Sequence, residues 1–437
     1  MATQECAAEI PSIAPEQSWT HRLKAAGTGL VEYNDSISPE FFEIEREAVF
    51  RRSWLMIGRD NQLGSPGNYF TKELEVLKTA LIIVHGKDGR IRGFHNVCPH
   101  RGNKLVWHDH PRKEEHGRRL LFRCKYHGLG FDTTGAVRVL TDAENWFGTE
   151  GRVLHLAEVP TEVWNGFVFV NLTPGGPKQS LREHLGEFYW NGFNDYPFAK
   201  LTNHVTLRGT SKSNWKLLAD AFAEAFHVIT LHGASFGSSF KANYGTSVKF
   251  RALDYNFHGK HRSTLSSRIP EGLYSYRLDA AAQATGAGPR YPMSIDLTQL
   301  PAAANPVNSD QWGTSIHGMW PNWMFQIYYP GWFLTYTYWP LAYNEMRFEV
   351  DWYMAPPRNF SELWSQKVSM NLFMDTALQD INTLEATQLG LESRAIQQFP
   401  LTDEEILVRH LHKMVEEEVA AYAKTRAAED SKKPSQV

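Results

Sequence analysis

Cys6, Cys98 and Cys124 are the only cysteines among 437 residues, too few for a disulfide framework and typical of a reducing compartment. An excess of charge of one sign is lacking too. Lys plus Arg number 45 against 48 Asp plus Glu, so no net field would hold the chain on nucleic acid or on an anionic membrane, and a small-molecule partner is expected instead. The stretch MATQECAAEIPSIAPEQSW has no basic segment followed by an apolar run, and no stretch approaches the length of a bilayer span. A cytoplasmic location is the expectation. Also missing is a glycine-rich turn between a strand and a helix, which argues against a flavin or nicotinamide site within the chain.

The residues that are present divide the chain. PEFFEIEREAVFRRSW, Pro39 to Trp54, spaces Phe42, Ile44, Ala48 and Phe50 among charges and predicts an amphipathic helix. ALIIVHGKDGRIRGFHN reads as a hairpin about GKDG, FRCKYHGLGFDTTGAVRV as a second hairpin, and WNGFVFVNL as an apolar strand. TPGGPKQ, Thr173 to Gln179, is a break of the linker type. Beyond it WMFQIYY, WFLTYTYWPL and EMRFEVDWYM are aromatic strands. The last sorts Met346, Phe348, Val350 and Trp352 from Arg347, Glu349, Asp351 and Tyr353, which predicts a sheet with one wet face. Gly237 to Asp310 reads as a long irregular connection, a lid or a loop, and from Asp403 onward the chain reads as a charged helix with a polar tail. The fold class is therefore α+β. An all-β domain over residues 54–173 precedes a mixed domain over residues 180–437, with a central antiparallel sheet flanked by helices, and residues 1–53 form a helical segment packing on that second domain.

Two of the cysteines lie in matching short loops. VCPHRGN sets Cys98 two positions before His100, and RCKYHGLG sets Cys124 three positions before His127. Four such side chains suit a metal better than two buried thiols and two satisfied histidines. A structural zinc also takes two Cys and two His, but its short spacers usually join ligands of like kind. One Cys and one His per loop suits a [2Fe–2S] cluster with two thiolates on one iron and two imidazoles on the other. Pro99 stiffens the first loop, and Gly102 and Gly128 let backbone amides approach the sulfides. CPHRG and CKYHG resemble the Rieske iron–sulfur domain, and the resemblance spans Trp54 to Thr173. Two departures stand out. The segment between the pairs is long and carries HDHPRKEEHGRR, whose His108, His110 and His116 are read as solvated, and Leu129 stands where the family often has Trp.

NWKLLADAFAEAFHVITLHG, Asn214 to Gly233, holds the second constellation. Asp220, Glu224 and His227 fall at i, i+4 and i+7, on one face of a regular helix. His232 would point about 140° away from His227 on that helix, so the helix must bulge or stop near Val228 to Thr230 for both rings to meet one ion. Ordinary partly buried histidines are the competing reading. A third ligand tips the balance: in MNLFMDTALQDINTLEATQLGL, Met370, Phe373, Ala377 and Leu384 make an apolar stripe with Asp380 inside it, where a carboxylate is costly unless a cation meets it. Asp375 lies nearer the stripe's edge and is the weaker candidate. Two His and one carboxylate are the facial triad of mononuclear non-haem Fe(II) oxygenases.

With both constellations in one chain, nearly the whole sequence resembles the oxygenase (α) component of the Rieske non-haem iron oxygenases, the aromatic-ring-hydroxylating dioxygenase family. The match runs from Asn214-Trp215-Lys216 through His227 and His232 to Asp380 and Glu385. The resemblance implies a [2Fe–2S] cluster on Cys98, His100, Cys124 and His127, and Fe(II) on His227, His232 and Asp380. It makes Glu224 the carboxylate that bridges the two centres, where many ring dioxygenases have Asp; Ala221 replaces a frequent Asn, and the longer bridge leans toward monooxygenases or demethylases. Asp220 is a further candidate for the coupling. O₂ and a small-molecule substrate, electrons from a separate NAD(P)H-dependent reductase, possible service by a ferredoxin, and a homotrimer follow from the resemblance, which leaves a β subunit open. The rings of Trp320, Trp323, Phe325, Tyr328, Trp332, Tyr336 and Trp339 belong either to the core or to a pocket for an aromatic or polycyclic substrate. The same rings suit a cage for a quaternary ammonium, which would make the reaction an N-demethylation of a betaine-like compound. An iron–sulfur electron carrier or redox sensor is the alternative from outside the enzymes.

Overall fold

The computed structural model describes residues 16–108, 114–148, 154–232, 252–267, 300–328 and 332–430. Cys6, His110, Gly233 and the polar tail from residue 431 lie outside the described residues. Helices α1 (Trp19–Arg22), α2 (Asn34–Ile37) and α3 (Pro39–Glu45) come first among the described residues. The expected helix from Pro39 is present but short. Ser38 caps it by accepting from Phe41 N–H, and after Glu45 it loosens into one π-type turn, Arg46–Phe50, so Trp54 already begins a strand. Strand β1 (Val31–Glu32) pairs with β20 (Gln398–Phe399), which ties this segment to the far end of the chain.

Residues 54–171 form three small antiparallel sheets. Strands β3 (Asn68–Leu74), β4 (Thr79–His85) and β5 (Ile91–His95) are flanked by β6 (His116–Arg118) and β10 (Glu158–Val159), with the GKDG turn closing β4 on β5 as expected. Strands β7 (Leu121–Arg123), β8 (Gly130–Asp132) and β9 (Val137–Val139) carry the second Cys/His loop. Strand β2 (Trp54–Arg59), with β11 (Thr161–Trp164) and β12 (Phe167–Asn171), makes the third sheet. Its alternation serves two cores: Val168 and Val170 face one, while Phe167 and Phe169 face the other.

The second half is built on one seven-stranded antiparallel sheet in the order β13-β19-β18-β17-β16-β15-β14. The strands are β13 (Asn203–Ser211), β14 (Ala252–His258), β15 (His261–Ser267), β16 (Trp312–Met319), β17 (Trp323–Tyr328), β18 (Trp332–Ala342) and β19 (Glu345–Met354). The expectation of one wet face is corrected. Trp323, Phe325, Ile327 and Phe333 pack on α4 (Leu181–Gly192) and on the β2–β12 sheet, while Met324, Leu334, Tyr336, Val350 and Trp352 look the other way. Strands apolar at both parities are buried on both faces. The edge beside β13 is polar, where Glu349 pairs with Lys72 and Asp351 with His204. A second correction concerns Gly237 to Asp310: residues 252–267 of it are the β14–β15 hairpin of this sheet. Two long helices, α7 (Phe360–Glu392) and α8 (Ile406–Asp430), complete the fold. The latter is less a surface helix than its charges suggest, since Leu407, Leu411, His412 and Val415 are buried.

Candidate metal centres and active site

The two Cys/His loops have the same construction. Cys98 N–H donates to Asn103 O at 2.8 Å and Gly102 N–H returns to Cys98 O at 3.0 Å; Cys124 N–H donates to Leu129 O at 2.8 Å and Gly128 N–H returns to Cys124 O at 3.0 Å. Both turns need a left-handed residue, and Gly102 (φ 78°) and Gly128 (φ 80°) supply it. The effect is to aim backbone N–H groups of His100 and Arg101 at the Cys98 sulfur, and those of Tyr126 and His127 at that of Cys124. Burial opposes a thiolate at both positions. At Cys124 the amides and the Asn103 side chain outweigh it and lower the thiol's pKa, whereas Cys98 stays raised by burial and by its neighbour Cys124. The rings of His100 and His127 lie 4.7 Å apart between their centroids, and His100 Nδ1 is buried with no hydrogen-bond partner. Two facing sulfurs, two facing imidazoles and an orphaned ring nitrogen are the donor set that a [2Fe–2S] cluster takes up. Of the neighbouring histidines, His108 faces Glu73 and His116 lies in β6. Leu129 fills core volume beneath the loop.

The second constellation does not sit on one helix. Asn214 caps α5 (Trp215–Ala221) by accepting from Lys216 N–H, but α5 stops at Ala221 and the chain is irregular until α6 (Val228–Leu231). The break comes earlier than expected and separates Asp220 from Glu224. His227 and His232 stand at the two ends of α6, five positions apart, and both rings reach Asp380 on α7. His232 Nε2 is 3.1 Å and His227 Nε2 3.7 Å from Asp380 Oδ1, and one donor atom from each of the three residues lies within 4.8 Å of the others. The opposite ring nitrogens are held from outside. His227 Nδ1 meets Glu224 Oε1 at 2.6 Å, and His232 Nδ1 meets Gln379 Oε1 at 2.9 Å. Each outer bond fixes its ring so that Nε2 points inward.

Asp380 is 3 % exposed, and its Oδ1, which has no hydrogen-bond partner, faces the two imidazole nitrogens. Burial disfavours a charged His227, yet Glu224 and Asp380 outweigh it and raise the imidazole's pKa. A cluster of this kind calls for a cation, and the donor set fits Fe(II). Asp375 is not part of it. Its carboxylate accepts from Gln379 Nε2 at 3.1 Å, which places it behind the residue that holds His232.

Asp220 lies elsewhere. Its Oδ2 is 3.1 Å from His412 Nε2, and His412 Nδ1 is 2.8 Å from Asp35 Oδ2. Beside them, Lys216 Nζ donates to Glu45 Oε1 at 2.8 Å and Trp215 Nε1 donates to Glu45 Oε2 at 2.9 Å. The Asn-Trp-Lys stretch is thus an anchor: Asn214 caps α5, and its two neighbours fix that helix to α3. Gln379 and His412 were not singled out in the sequence. Neither carries a local signal: the contact of Gln379 with His232 is tertiary, and the partners of His412 come from two distant segments.

The face of the sheet below Asp380 is aromatic. Tyr328 stacks on Trp332 at 3.9 Å, Trp332 on Trp352 at 4.5 Å, and Phe373 of α7 meets Trp352 edge-on at 5.0 Å. Two spaces open on this face. Each has a volume of about 10 Å³: one lies between Val350, Trp352 and the α7 residues Phe373 and Ala377, and the other is lined by Phe222, Arg262, Met324 and Tyr338. Of the seven rings singled out in the sequence, Tyr328, Trp332 and Tyr336 face this side, whereas Trp323 and Phe325 belong to the opposite core.

Residues 53–159 match the Rieske [2Fe–2S] domain, and residues 198–421, just over half of the chain, match the ring-hydroxylating alpha subunit (catalytic domain). The chain belongs to the Rieske oxygenase α-subunit family. The cofactors of its two matched domains are a [2Fe–2S] cluster and a mononuclear iron, and members of the family are oxygenases. The chain is 27% identical over 219 residues to the carnitine monooxygenase oxygenase subunit of Escherichia coli (strain K12), covering 50% of this chain and 53% of that one. It is 32% identical over 210 residues to the large oxygenase component of the naphthalene 1,2-dioxygenase system of Pseudomonas aeruginosa, covering 46% and 43%. These matches therefore span about half the length of the curated relatives. Among solved structures, a quaternary ammonium Rieske monooxygenase studied for carnitine oxidation and inter-subunit electron transfer shares the fold, with a TM-score of 0.67 at 19% identity over 94% of this chain and 98% of that one. No helix among the described residues is long and apolar enough to cross a membrane.

Proposed function

We propose that this Rieske oxygenase is the terminal component of a cytoplasmic system that uses O₂ and electrons from a separate NAD(P)H-dependent reductase, directly or through a ferredoxin, to hydroxylate a hydrophobic aromatic or polycyclic small molecule. In this reading residues 54–173 form the electron-accepting domain, with Cys98, His100, Cys124 and His127 as cluster ligands. Residues 180–437 form the catalytic domain, in which His227, His232 and Asp380 hold Fe(II), and residues 1–53 pack on it. When bound, the two groups supply single electrons and the binding and activation of O₂ beside the substrate. The protein's own part is geometric. Glu224 and Gln379 orient the two imidazoles, Asp380 balances the ion's charge, and the aromatic face below positions a flat substrate and excludes water.

The observation that carries the proposal is the convergence of His227, His232 and Asp380 within 4.8 Å over an aromatic sheet face, in a chain that also pairs two Cys/His loops. Glu224 is the proposed link between the centres, since each of its carboxylate oxygens, already bonded to His227, has a lone pair left for a second donor. Asp220 acts on that link only by fixing the end of α5.

A second reading, demethylation of a quaternary ammonium compound, is favoured by the similarity to carnitine monooxygenase. Against it, Trp332 lies between Tyr328 and Trp352, so its two faces are taken up by rings and are not open to a cation. The test is NADH-driven, O₂-dependent turnover with a generic reductase, read by mass. Addition of one or two oxygen atoms to a ring compound is expected; loss of a methyl group from a betaine with no ring oxidation would establish the second reading. Iron content should be about three atoms per chain, and about two would indicate an electron carrier.

A further inference from the structure

On the part of the sheet face below Asp380 that β17, β18 and β19 make, most side chains are apolar or aromatic, and three carry buried polar atoms. Gln326 on β17, Tyr336 on β18 and Trp352 on β19 are 4 %, 1 % and 3 % exposed. Gln326 Oε1, Tyr336 Oη and Trp352 Nε1 are all buried without a hydrogen-bond partner. They surround one residue: Gln326 and Trp352 stand opposite Leu334 on its two sides, and Tyr336 is two positions further along β18 on the same face. Tyr336 also divides the two open spaces, with its ring 4.4 Å from that of Phe222 in one wall and 6.3 Å from that of Phe373 in the other.

The orientation of the Gln326 amide follows from its neighbour. Thr314 gives its single hydroxyl hydrogen to Ile327 O at 2.9 Å, so its oxygen can only accept, and the 3.1 Å contact with Gln326 must come from Nε2. The carbonyl oxygen is therefore the end left without a donor. A buried acceptor, a buried indole N–H and a buried phenol, all unpaired on one patch of this face, are costly until water or a ligand with matching groups bonds them.

We propose that the substrate is a flat ring compound bearing a hydroxyl or N–H group, which donates to Gln326 Oε1, and an oxygen or nitrogen acceptor within reach of Tyr336 and Trp352. This deepens the proposed hydroxylation and rests on it. An unsubstituted hydrocarbon leaves all three protein atoms unpaired, and so does a tetraalkylammonium group, which has no N–H. Sites built to bond a substrate's hydroxyl discriminate strongly against the analogue without it.

The experiment compares 2-naphthol with naphthalene and with 2-methylnaphthalene, which has the same size and no donor, using the iron-loaded protein. Binding is measured by equilibrium dialysis and turnover with reductase by mass. 2-Naphthol is expected to bind about ten-fold or more tightly than either hydrocarbon. Gln326→Leu and Tyr336→Phe keep the shape of the site, and the affinity ratio should collapse toward one in at least the first of them. Equal binding of the three compounds by the wild type, no binding of any, or a ratio unchanged in both variants overturns the inference. Ready oxidation of naphthalene alongside equal binding or an unchanged ratio leaves the ring-hydroxylation reading standing. Demethylation of a betaine with no ring compound bound or oxidised removes both.

Discussion

At the scale of single residues, short-range spacing carried most of the metal chemistry. Cys98 with His100, and Cys124 with His127, are each confined to one turn, so their pattern survives in the sequence whatever the rest of the chain does. Asp380 was legible for a different reason, as a carboxylate set into an apolar stripe, and its buried, unbonded Oδ1 is the structural form of that anomaly. Gln379 was not legible, because glutamine is unremarkable on a helix and only the tertiary fold shows that it holds His232. The ranking of Asp380 over Asp375 can be tested directly. Asp380→Ala should lose about one iron of three per chain and all turnover while the visible absorption of the cluster persists. Asp375→Ala, acting through Gln379, should keep the iron with an affinity weakened by about ten-fold or more. Iron retained in the first variant and lost in the second would reverse the assignment.

At the scale of elements, strands with strong aromatic alternation are visible in the sequence as strands, though not the burial of both their faces, and polar ones are not visible. Strand β15 buries His261, Arg262, Ser263, Thr264 and Ser266, so its inward face carries no apolar period and the hairpin hid inside an apparent loop. The helix holding Asp220 was read as too long for a similar reason: hydrophobic period continues past Ala221, and nothing local marks the break. That break hands Asp220 to His412. Burial would lower the His412 pKa, but Asp35 and Asp220 on its two nitrogens overcome this and raise it to about 10 from an ordinary 6.5. Lys216, Glu45, Glu405 and Glu416 are charged groups that also face this network. A group whose pKa rises on folding contributes stability that is complete below the unfolded value, here about pH 6.5, and is lost as pH climbs through about 10. Thermal unfolding followed from pH 6 to 10 should therefore show a falling midpoint for the wild type. His412→Gln should start lower, by about 3–5 kcal/mol for a broken buried ion pair, and approach the wild type toward the alkaline end. Parallel curves would mean that His412 is neutral throughout.

At the scale of the whole molecule, the two centres belong to different layers of the fold, and each has apolar groups exposed beside it. Tyr126 (56 % exposed) adjoins His127, and Phe226 (56 % exposed) adjoins His227. Exposed rings next to an electron donor and an electron acceptor suit a junction between copies of the chain, the arrangement proposed here for a cyclic homotrimer in which the cluster of one subunit feeds the iron of the next. Separating the two sites genetically tests it. His127→Ala should disable the cluster and His227→Ala the iron, leaving each homotrimer inactive. In any mixed ring of three, a single junction joins a live cluster to a live iron in the correct head-to-tail sense. Equal amounts, randomly mixed, place about three quarters of rings in the mixed class with one working site of three, so activity should return to about a quarter of the wild type. Transfer within one chain predicts none, because no chain then carries both live centres. Native mass spectrometry of the mixture shows whether mixed rings have formed; if they have and activity stays absent, electrons do not cross the subunit boundary and Glu224 must serve the cluster of its own chain.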